Sequence, residues 1–272
     1  MSKVLITGAA SGLGRALALR FAREGDDICI ADINMEGANE TLDLVKAAGG
    51  NGFTYNLDVT KPEQWQHLLE EVEQRWQRID VVINNAGVAT GDRIEQGEWS
   101  TREWVIDINL KSVASGCRTF TPMMKTQGSG YFINTASLAG LMTAPLMASY
   151  NVTKAAVVAL SDTMHYELKP YGIGTTVLCP GFFRTNLDKG MRTSDPQLLK
   201  MVDKVFESSE LTADDVANIC YRDMKKNKLI CNPHKMGRRA YFIKRFMPFL
   251  FSYMVGKTAT KMKKYDPAFN KK

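Results

Sequence analysis

A tyrosine and a lysine four residues apart, Tyr150 and Lys154, are the strongest catalytic candidates in this chain. Residues i and i+4 share one face of a helix, so the phenol and the amine are predicted to lie side by side. A phenol with a pKa of ~10 exchanges protons poorly at neutral pH, but a neighbouring ammonium stabilises the phenolate and lowers that pKa. The pair predicts a general acid/base, although Tyr-x3-Lys alone also occurs by chance on helices.

Two polar residues upstream could complete such a site. Ser137 precedes Tyr150 by 13 residues and is predicted to lie at the end of a strand, where its hydroxyl can bind a carbonyl oxygen beside the phenol. Asn109 lies on the preceding predicted helix, where a short amide can hold a water molecule. The alternative interpretations are a helix-capping serine and a buried helix asparagine.

A glycine-rich turn, Thr7-Gly8-Ala9-Ala10-Ser11-Gly12-Leu13-Gly14, joins the first predicted strand to the first predicted helix. Gly8 would permit the tight turn, Gly12 the approach of a pyrophosphate to the backbone, and Gly14 the close packing of helix on strand. The turn predicts a dinucleotide site at the start of the helix, and the alternative is a purely structural connection.

An acidic residue, Asp32, follows Gly12 by 20 residues and ends the second predicted strand. A carboxylate there can accept hydrogen bonds from a ribose diol. It would repel a 2′-phosphate by roughly 4 kcal/mol at ~4 Å and an effective dielectric of ~20. No Arg or Lys adjoins Asp32 in sequence, and Arg15 is the nearest candidate cation. We therefore expect NAD rather than NADP, and the alternative is a solvated aspartate.

Short β-rich runs alternate with amphipathic helical stretches. The predicted strands are Val4–Thr7, Ile28–Asp32, Phe53–Asn56, Val81–Asn84, Tyr131–Ala136, Thr175–Cys179 and Leu229–Cys231. The predicted helices are Leu13–Arg23, Glu36–Lys46, Pro62–Arg78, Thr101–Ser115, Ser149–Leu168 and Thr212–Lys225. Apolar strands separated by helices predict an α/β fold, a Rossmann-like doubly wound parallel sheet of about seven strands. Ligands bind such sheets beyond the carboxyl ends of the strands, where the candidate residues fall.

Together these motifs resemble the short-chain dehydrogenase/reductase family, in the subgroup with a Thr-Gly-x3-Gly-x-Gly turn and a Tyr-x3-Lys pair. Further matches follow the fourth, third and sixth predicted strands, namely Asn84-Asn85-Ala86-Gly87, Asp58-Val59, and Pro180-Gly181 with Thr185. The fifth-strand stretch Asn134-Thr135-Ala136-Ser137 lacks the frequent Ser-Ser pair but keeps the final serine. The resemblance spans roughly residues 3–232 in the expected order.

The resemblance implies an NAD(P)-dependent dehydrogenase/reductase acting on CH–OH groups. Tyr150 would be the general acid/base, Lys154 would lower its pKa and hold the nicotinamide ribose, and Ser137 would orient the substrate oxygen. Asn109 would complete a water-linked proton relay. The resemblance implies that the adenine contacts are Asp58 and Val59 and that the nicotinamide end meets Pro180, Gly181 and Thr185. The other implied cofactor-binding residues are Gly8, Ser11, Gly12, Leu13, Gly14, Asp32, Asn85, Ala86, Gly87, Tyr150 and Lys154.

Length and composition are those of an ordinary globular protein, since 44% of the 272 residues are apolar and 24% are charged. Five cysteines without a C-x-x-C pair predict free thiols in a reducing compartment, and three scattered histidines give no indication of a metal site. No signal peptide and no run of 18 apolar residues is recognisable. These features predict a cytoplasmic location.

The segment after the sixth predicted strand, about 182–209, is expected to be the substrate lid. Its large apolar residues are Phe182, Phe183, Leu187, Met191, Leu198, Leu199, Met201, Val205 and Phe206, and a second apolar set is Leu138, Leu141, Met142, Leu146 and Met147. They predict an apolar pocket for a lipophilic secondary alcohol or ketone, such as a steroid, retinoid or long-chain compound. The alternative is that they form the core of the lid.

The C-terminal segment, residues 233–272, has eleven Lys/Arg and one acid, Asp266, and is therefore net +10. Because the whole chain is +6, the preceding 232 residues are net −4. Aromatic residues mixed with basic ones over 236–264 predict peripheral contact with an anionic membrane surface. The alternative is a helix packed on the lid or on a partner subunit. Nucleic-acid binding is not expected, because no recognised module accompanies the charge.

These observations predict one Rossmann-like domain over residues 1–232 and a C-terminal extension over 233–272. The expected function is NAD(H)-dependent interconversion of a secondary alcohol and a ketone. The family resemblance also implies a homodimer or homotetramer assembled through the helices predicted at Thr101–Ser115 and Ser149–Leu168. The alternative function is a non-catalytic, dinucleotide-binding regulatory or scaffold protein that docks through its C-terminal segment.

Overall fold

Seven parallel strands form the sheet of a computed structural model that describes residues 1–183, 190–195, 209 and 211–262. The strands are β1 (Lys3–Thr7), β2 (Asp27–Asp32), β3 (Asn51–Asn56), β4 (Val81–Asn84), β5 (Gly130–Thr135), β6 (Ile173–Leu178) and β7 (Ile230–Cys231). Their order across the sheet is β3-β2-β1-β4-β5-β6-β7, and every neighbouring pair is parallel. This is the predicted Rossmann-like sheet.

The order of the strands reverses beside β1, which pairs with β2 on one side and β4 on the other. Leu5 of β1, for example, lies beside Cys29 of β2 and Val82 of β4. In a doubly wound sheet the loops diverge at such a switch point and leave a crevice beyond the carboxyl ends of the strands. The topology therefore places a binding site after β1 and β4.

Helices cover both faces of the sheet. They are α1 (Gly12–Ala22), α2 (Met35–Ala47), α3 (Pro62–Trp76), α4 (Trp99–Ile106), α5 (Ser112–Gln127), α6 (Leu138–Leu141), α7 (Ala148–Leu168), α8 (Ala213–Lys225), α9 (Lys235–Phe246) and α10 (Pro248–Met262). One core cluster packs α1, α2 and α8 on the sheet through residues such as Leu17, Val45 and Val216. The other packs α3, α5 and α7 through residues such as Trp65 and Phe120. Strands buried between two layers explain the continuous apolar runs in the sequence.

The helix predicted at Thr101–Ser115 is wrong in its bounds. The structure has α4, then a π-helical turn at Asp107–Lys111, and then α5, which continues to Gln127. Pro122 lies inside α5 and argues locally against a helix. Burial of Phe120 and Met124 in the core outweighs that local preference.

The C-terminal segment contains two helices, α9 and α10, that are separated by Met247 and contact each other. No helix among the residues described is both long and apolar enough to cross a membrane. Most of the predicted lid, including Leu187, Leu198, Leu199, Met201, Val205 and Phe206, lies outside the described residues, as does the predicted cofactor residue Thr185.

Candidate active site

A cavity of about 500 Å³ lies at the carboxyl ends of the strands. Its wall includes the predicted site residues Gly8, Ser11, Gly12, Leu13, Gly14, Asp32, Asp58, Val59, Asn85, Ala86, Gly87, Ser137, Tyr150, Lys154, Pro180 and Gly181. Asn109 is buried behind the wall and does not line it. Parallel topology therefore gathers residues from loops that are far apart in the chain.

The turn between β1 and α1 is too tight for side chains at two positions. Gly8 has a φ of +66°, and its N–H donates to the carbonyl oxygen of Ala31 at 2.9 Å. A Cβ on Gly14 would lie 2.1 Å from the carbonyl oxygen of Gly8. Ser11, the N-cap of α1, makes no side-chain capping hydrogen bond. The start of α1 thus offers backbone N–H groups to an anion in the cavity.

Thr7 and Asn85 fasten the glycine-rich turn to the loop that follows β4. The Thr7 Oγ1 accepts from the backbone N–H groups of Asn85 and Ala86, both at 3.0 Å. The Asn85 Nδ2 donates to the carbonyl oxygens of Thr7 at 3.0 Å and Gly8 at 3.3 Å. The Asn85 amide therefore shapes the wall from behind. Sequence reasoning placed Thr7 at the start of the glycine-rich motif but gave it no role.

Each carboxylate oxygen of Asp32 accepts a hydrogen bond from a different backbone N–H group. Its Oδ2 accepts from Ala10 N and its Oδ1 accepts from Asn34 N, both at 2.9 Å. A carboxylate oxygen has two lone pairs, so each oxygen retains one for a further donor. The carboxylate is therefore fixed and still able to receive the two hydroxyls of a diol.

Arg15, the candidate cation near Asp32, is engaged elsewhere. Its Nε donates to Thr41 Oγ1 at 2.8 Å, and its Nη2 donates to the carbonyl oxygen of Ala10 at 2.6 Å. The same Nη2 forms an ion pair with Glu40 at 2.9 Å. These partners compete with any phosphate for the guanidinium.

Asp58 lines the same end of the cavity and holds its charge through its neighbour Thr60. Burial opposes ionisation of this carboxyl, but hydrogen bonds from the side chain and backbone of Thr60 outweigh burial and lower the pKa of Asp58. The two bonds to Asp58 Oδ1 measure 2.7 and 3.0 Å. The Asp58 carboxylate is thus a stable anion, and one of its oxygens, Oδ1, already accepts two hydrogen bonds within its own loop.

Tyr150 and Lys154 lie on one face of α7, as their spacing predicts. The Lys154 Nζ is 5.8 Å from the centre of the Tyr150 ring and donates to the carbonyl oxygen of Thr135 at 2.9 Å. Both side chains are buried, although both residues border the cavity. The carboxyl end of β5 thereby anchors the amine beside the phenol.

The pKa of Tyr150 is shifted opposite to the predicted direction. Burial raises the pKa of Tyr150, and its hydrogen bond with Ser137 only partly opposes that rise. Burial also lowers the pKa of Lys154 to about 8, with Cys179 acting in the opposite sense. Desolvation penalises the charged form of each group, so both are shifted toward neutrality.

Ser137 lies two residues beyond the end of β5 and caps α6. Its Oγ accepts from Ala139 N at 3.1 Å and also contacts Tyr150. The capping interpretation and the site interpretation are therefore compatible, because the same hydroxyl starts α6 and faces the phenol.

Asn109 occupies the π-helical turn between α4 and α5 and is fully buried. Its Oδ1 accepts from Val88 N at 2.8 Å, and its Nδ2 donates to Val88 O at 2.9 Å. A Cβ on Gly87 would lie 3.2 Å from Asn109 Oδ1 and 3.4 Å from Lys154 Nζ. The amide thus holds the loop after β4 close to Lys154.

The remaining wall is apolar and follows the loops after β4, β5 and β6. It includes Val88, Ala89, Leu138, Met142, Met147, Phe182, Phe183 and Met191. Leu141 and Leu146, predicted for this pocket, do not line it. Leu141 is buried in the core, and Leu146 takes a left-handed backbone conformation with a φ of +66°.

His234, missed by sequence reasoning, supports this wall from the start of α9. Its Nδ1 accepts from the backbone N–H of Gly181 at 3.0 Å, and its ring lies 6.3 Å from that of Phe183. Burial lowers the pKa of His234, which keeps the ring neutral and Nδ1 available as an acceptor. Its position just beyond β7, at the carboxyl edge of the sheet, was the available signal.

Comparison with known proteins gives a family. The sequence profile of the family described as short chain dehydrogenase matches residues 2–196. The chain is 32% identical over 254 residues to probable oxidoreductase EphD of Mycobacterium tuberculosis, covering 90% of this chain and 43% of that protein. It therefore spans less than half the length of that relative. It is 34% identical to epidermal retinol dehydrogenase 2 of Mus musculus, covering 75% of this chain and 67% of that protein.

Solved structures agree. A short-chain dehydrogenase/reductase from Burkholderia phymatum, solved in complex with NAD, superposes with a TM-score of 0.86 at 29% identity. The match covers 92% of this chain and 94% of that one. The chain belongs to the short-chain dehydrogenase/reductase family, a family of NAD(P)-dependent oxidoreductases acting on CH–OH groups.

Proposed function

We propose that this protein is an NAD(H)-dependent dehydrogenase/reductase that interconverts a lipophilic secondary alcohol and its ketone, with Tyr150 as general acid/base. The observation that carries this proposal is a shared cavity. Asp32 and the glycine-rich turn line the same cavity as Tyr150 and Lys154, together with an apolar wall. A dinucleotide and an apolar substrate could meet there beside one proton-transferring group.

The residues present fit a dinucleotide. The uncapped start of α1 supplies N–H groups for phosphates, and a Cβ on Gly8 would lie 2.8 Å from the Ala86 Cα across the turn. Asp32 retains lone pairs for a ribose diol. When bound, a nicotinamide supplies the hydride acceptor or donor for the carbon that carries the substrate oxygen.

The protein's own contribution is the proton and its position. Tyr150 would take the hydroxyl proton during oxidation and return it during reduction. Ser137 would hold the substrate oxygen beside the phenol. Because burial raises the pKa of Tyr150, the phenolate depends on nearby donors and positive charge, which Ser137 and Lys154 can supply.

Asn109 is proposed to complete the site from behind. The family resemblance implies that Asn109 takes part in a water-linked proton relay. In this structure its amide is bound to the Val88 backbone and lies near Lys154. By holding the loop after β4, Asn109 would keep the path of that proton relay beside the Lys154 amine.

The preference for NAD rests on Asp32 and Arg15. The fixed carboxylate of Asp32 favours ribose hydroxyls and repels a 2′-phosphate. The guanidinium of Arg15 is already paired with Glu40. The B. phymatum relative in complex with NAD supports the same choice at 29% identity.

The lipophilic substrate class rests on the wall of methionine, phenylalanine and leucine side chains after β4, β5 and β6. Such side chains exclude the ordered donors and acceptors that a sugar needs and adapt to irregular apolar shapes. Similarity to a protein named for retinol, a lipophilic alcohol, supports this class. The comparisons give no support to the alternative of a non-catalytic regulator.

Assembly as a homodimer or homotetramer is also proposed. Val152 and Tyr166 on α7, and Trp99 on α4, are large apolar side chains left exposed on the helices expected at the interface. Burying them against a second copy would remove apolar surface from water.

Initial rates with NAD and NADP across a panel of lipophilic secondary alcohols and polyols test the proposal. We expect a lower KM for NAD and turnover of the lipophilic alcohols. Asp32→Ala should bring the KM values for NAD and NADP closer together. Asp43→Ala, on the exposed side of α2, should leave both KM values unchanged. A lower KM for NADP in the unaltered protein, or turnover of polyols alone, would contradict it.

A further inference from the structure

The outer surface of α9 and α10 is apolar and exposed beyond what the rest of the described chain shows. Its large solvent-exposed apolar side chains include Phe242, Phe246, Phe249, Leu250, Tyr253 and Met254. Phe249 is 91% exposed. Large contiguous apolar surface on a folded chain marks an interaction site.

Within each of the two helices, the spacing places exposed aromatic side chains side by side. Phe242 and Phe246, one helical turn apart, have ring centres 4.7 Å from each other. Phe249 and Tyr253 repeat that spacing on α10. Phe251 lies on another side of α10, and its ring is 5.8 Å from the Nζ of Lys244 on α9. One side of the two helices is therefore used for contact between them. The exposed side chains on the other side are covered by no other element among the described residues.

Positive charge surrounds this surface. Between Asp223 and Asp266 the sequence has twelve Lys/Arg and no Asp or Glu. Arg239, Arg245 and Lys257 are exposed, and none forms an ion pair with a carboxylate of the described residues. Lys257 lies 5.1 Å from the centre of the Tyr253 ring, so charge and aromatic surface are adjacent.

The helix pair is fixed to the body of the protein beside the cavity. The Lys244 Nζ donates to the carbonyl oxygen of Leu141 at 2.8 Å. A Cβ on Gly237 would lie 3.0 Å from the Leu138 side chain, which lines the cavity. His234 at the start of α9 holds Gly181. The start of α9 and Lys244 therefore pack beside the wall of the protein's own site, while the described residues leave the outer surface of α9 uncovered.

We propose that α9 and α10 form a docking surface for an anionic phospholipid bilayer, on which the helices lie in the plane of the headgroups. Aromatic and aliphatic side chains beside basic ones, without a single acid, fit that surface in both polarity and charge. A symmetric contact with a second copy would instead bring two positive surfaces together. On the proposed function, docking would place the apolar wall near a phase that dissolves the substrate.

Vesicle flotation with the full-length protein tests the docking surface without reference to catalysis. Vesicles of phosphatidylcholine with phosphatidylserine should carry the protein upward, and vesicles of phosphatidylcholine alone should carry much less. Because screening weakens attraction to a charged surface, high salt should release the protein. Recovery in the bottom fraction with both vesicle types would overturn the proposal.

Two sets of substitutions separate charge from apolar contact. Arg239→Gln/Arg245→Gln/Lys257→Gln should weaken partitioning roughly a hundredfold, since each basic residue near an anionic surface contributes about fivefold. The matched control Arg23→Gln/Lys46→Gln/Arg222→Gln removes three exposed charges elsewhere and should float like the unaltered protein. Equal flotation of the two charge variants would contradict the proposal.

Phe242→Ser/Phe246→Ser/Phe249→Ser should lose flotation while keeping its thermal unfolding and its affinity for NADH. Light scattering on the same variant distinguishes a subunit contact. A change of oligomeric state in this variant, with no flotation of the unaltered protein, would assign the surface to a second copy and overturn the lipid proposal. Because NADH affinity and turnover are measured separately, failure of docking leaves the proposed function intact.

Discussion

At the Asp32 end of the cavity the wall is largely backbone, whereas at the Met142 end it is made of side chains. The turn between β1 and α1 is held by its glycines and by Thr7 and Asn85, with contacts that leave no space for a Cβ. The apolar end takes Leu138, Met142 and Phe183 from separate loops and is supported by His234 from α9.

The difference has a physical reason. A dinucleotide is recognised through phosphates and a diol, which backbone N–H groups and one carboxylate can bind at fixed positions. A lipophilic substrate is recognised mainly through its shape and the area it buries, which many side chains can supply. Changes at the first end should therefore have large effects on cofactor binding, and changes at the second end smaller effects on substrate binding.

The largest effect is expected where the two ends meet. Tyr150→Phe should reduce turnover by roughly 10²- to 10⁴-fold, because the phenyl ring cannot exchange a proton with the substrate. NADH affinity, measured by fluorescence titration, should change little. Tyr171→Phe, at an exposed tyrosine that does not line the cavity, is the control and should keep full activity. Comparable turnover in the two variants would remove Tyr150 from its role.

Gly14→Ala should damage the dinucleotide end next most severely. The added Cβ would lie 2.1 Å from the Gly8 carbonyl oxygen and 2.8 Å from the Ala9 Cα, so the turn and α1 must separate. Overpacking of this kind costs about 1–3 kcal/mol, and at the turn that binds the cofactor this corresponds to a loss of roughly 5- to 160-fold in NADH affinity. Gly256→Ala, where a Cβ meets nothing within 4 Å, is the matched control. Unchanged NADH affinity in Gly14→Ala would show that this end tolerates change as well as the apolar end does.

Met142→Ala should act at the apolar end alone. Removing a partly buried apolar side chain from the wall should raise the KM for a lipophilic alcohol about fivefold through lost apolar contact. The dissociation constant for NADH should stay the same. Leu44→Ala, on the exposed side of α2, should alter neither value. A shift in NADH affinity that matched the shift in KM would erase the distinction between the two ends.

His234 should give the smallest effect, and it should depend on pH. Burial lowers its pKa below the usual 6.5, so protons bind more readily to the unfolded chain as pH falls below that value. The unaltered protein should therefore lose stability, and the bond from Gly181 N, as pH falls from 7 to 5. At pH 7, His234→Ala should weaken substrate binding about threefold through loss of one hydrogen bond.

His234→Asn keeps an acceptor but cannot titrate, so it should restore binding and flatten the dependence on pH. Thermal unfolding and KM measured between pH 5 and 7.5 check both expectations. If the alanine and asparagine variants follow the same pH profile as the unaltered protein, His234 does not support the wall.

Most of the fold could be predicted from the sequence because buried parallel strands are continuous apolar runs. Val81–Asn84 was predicted with the bounds it has as β4, and the other strands differ by one or two residues at one or both ends. The extension of α5 through Pro122 could not be predicted, because its stability comes from core contacts of Phe120 and Met124 that no local pattern records.

The positions of the candidate site residues follow from the fold, since parallel strands bring their carboxyl ends to one edge. The hydrogen-bond partners of these residues could not be predicted in the same way. Asn109 binds Val88, which is 21 residues away, and His234 binds Gly181, which is 53 residues away. The direction of the Tyr150 pKa shift likewise depends on burial, which the spacing of Tyr150 and Lys154 does not encode.

The most direct test of the central claim follows the hydrogen itself. A lipophilic secondary alcohol with deuterium on its carbinol carbon is incubated with NAD and the full-length protein, and the cofactor is analysed by mass spectrometry. The proposed function predicts deuterium in the reduced cofactor with the unaltered protein and almost none with Tyr150→Phe. Binding of NAD without deuterium transfer from any alcohol of the panel would contradict it.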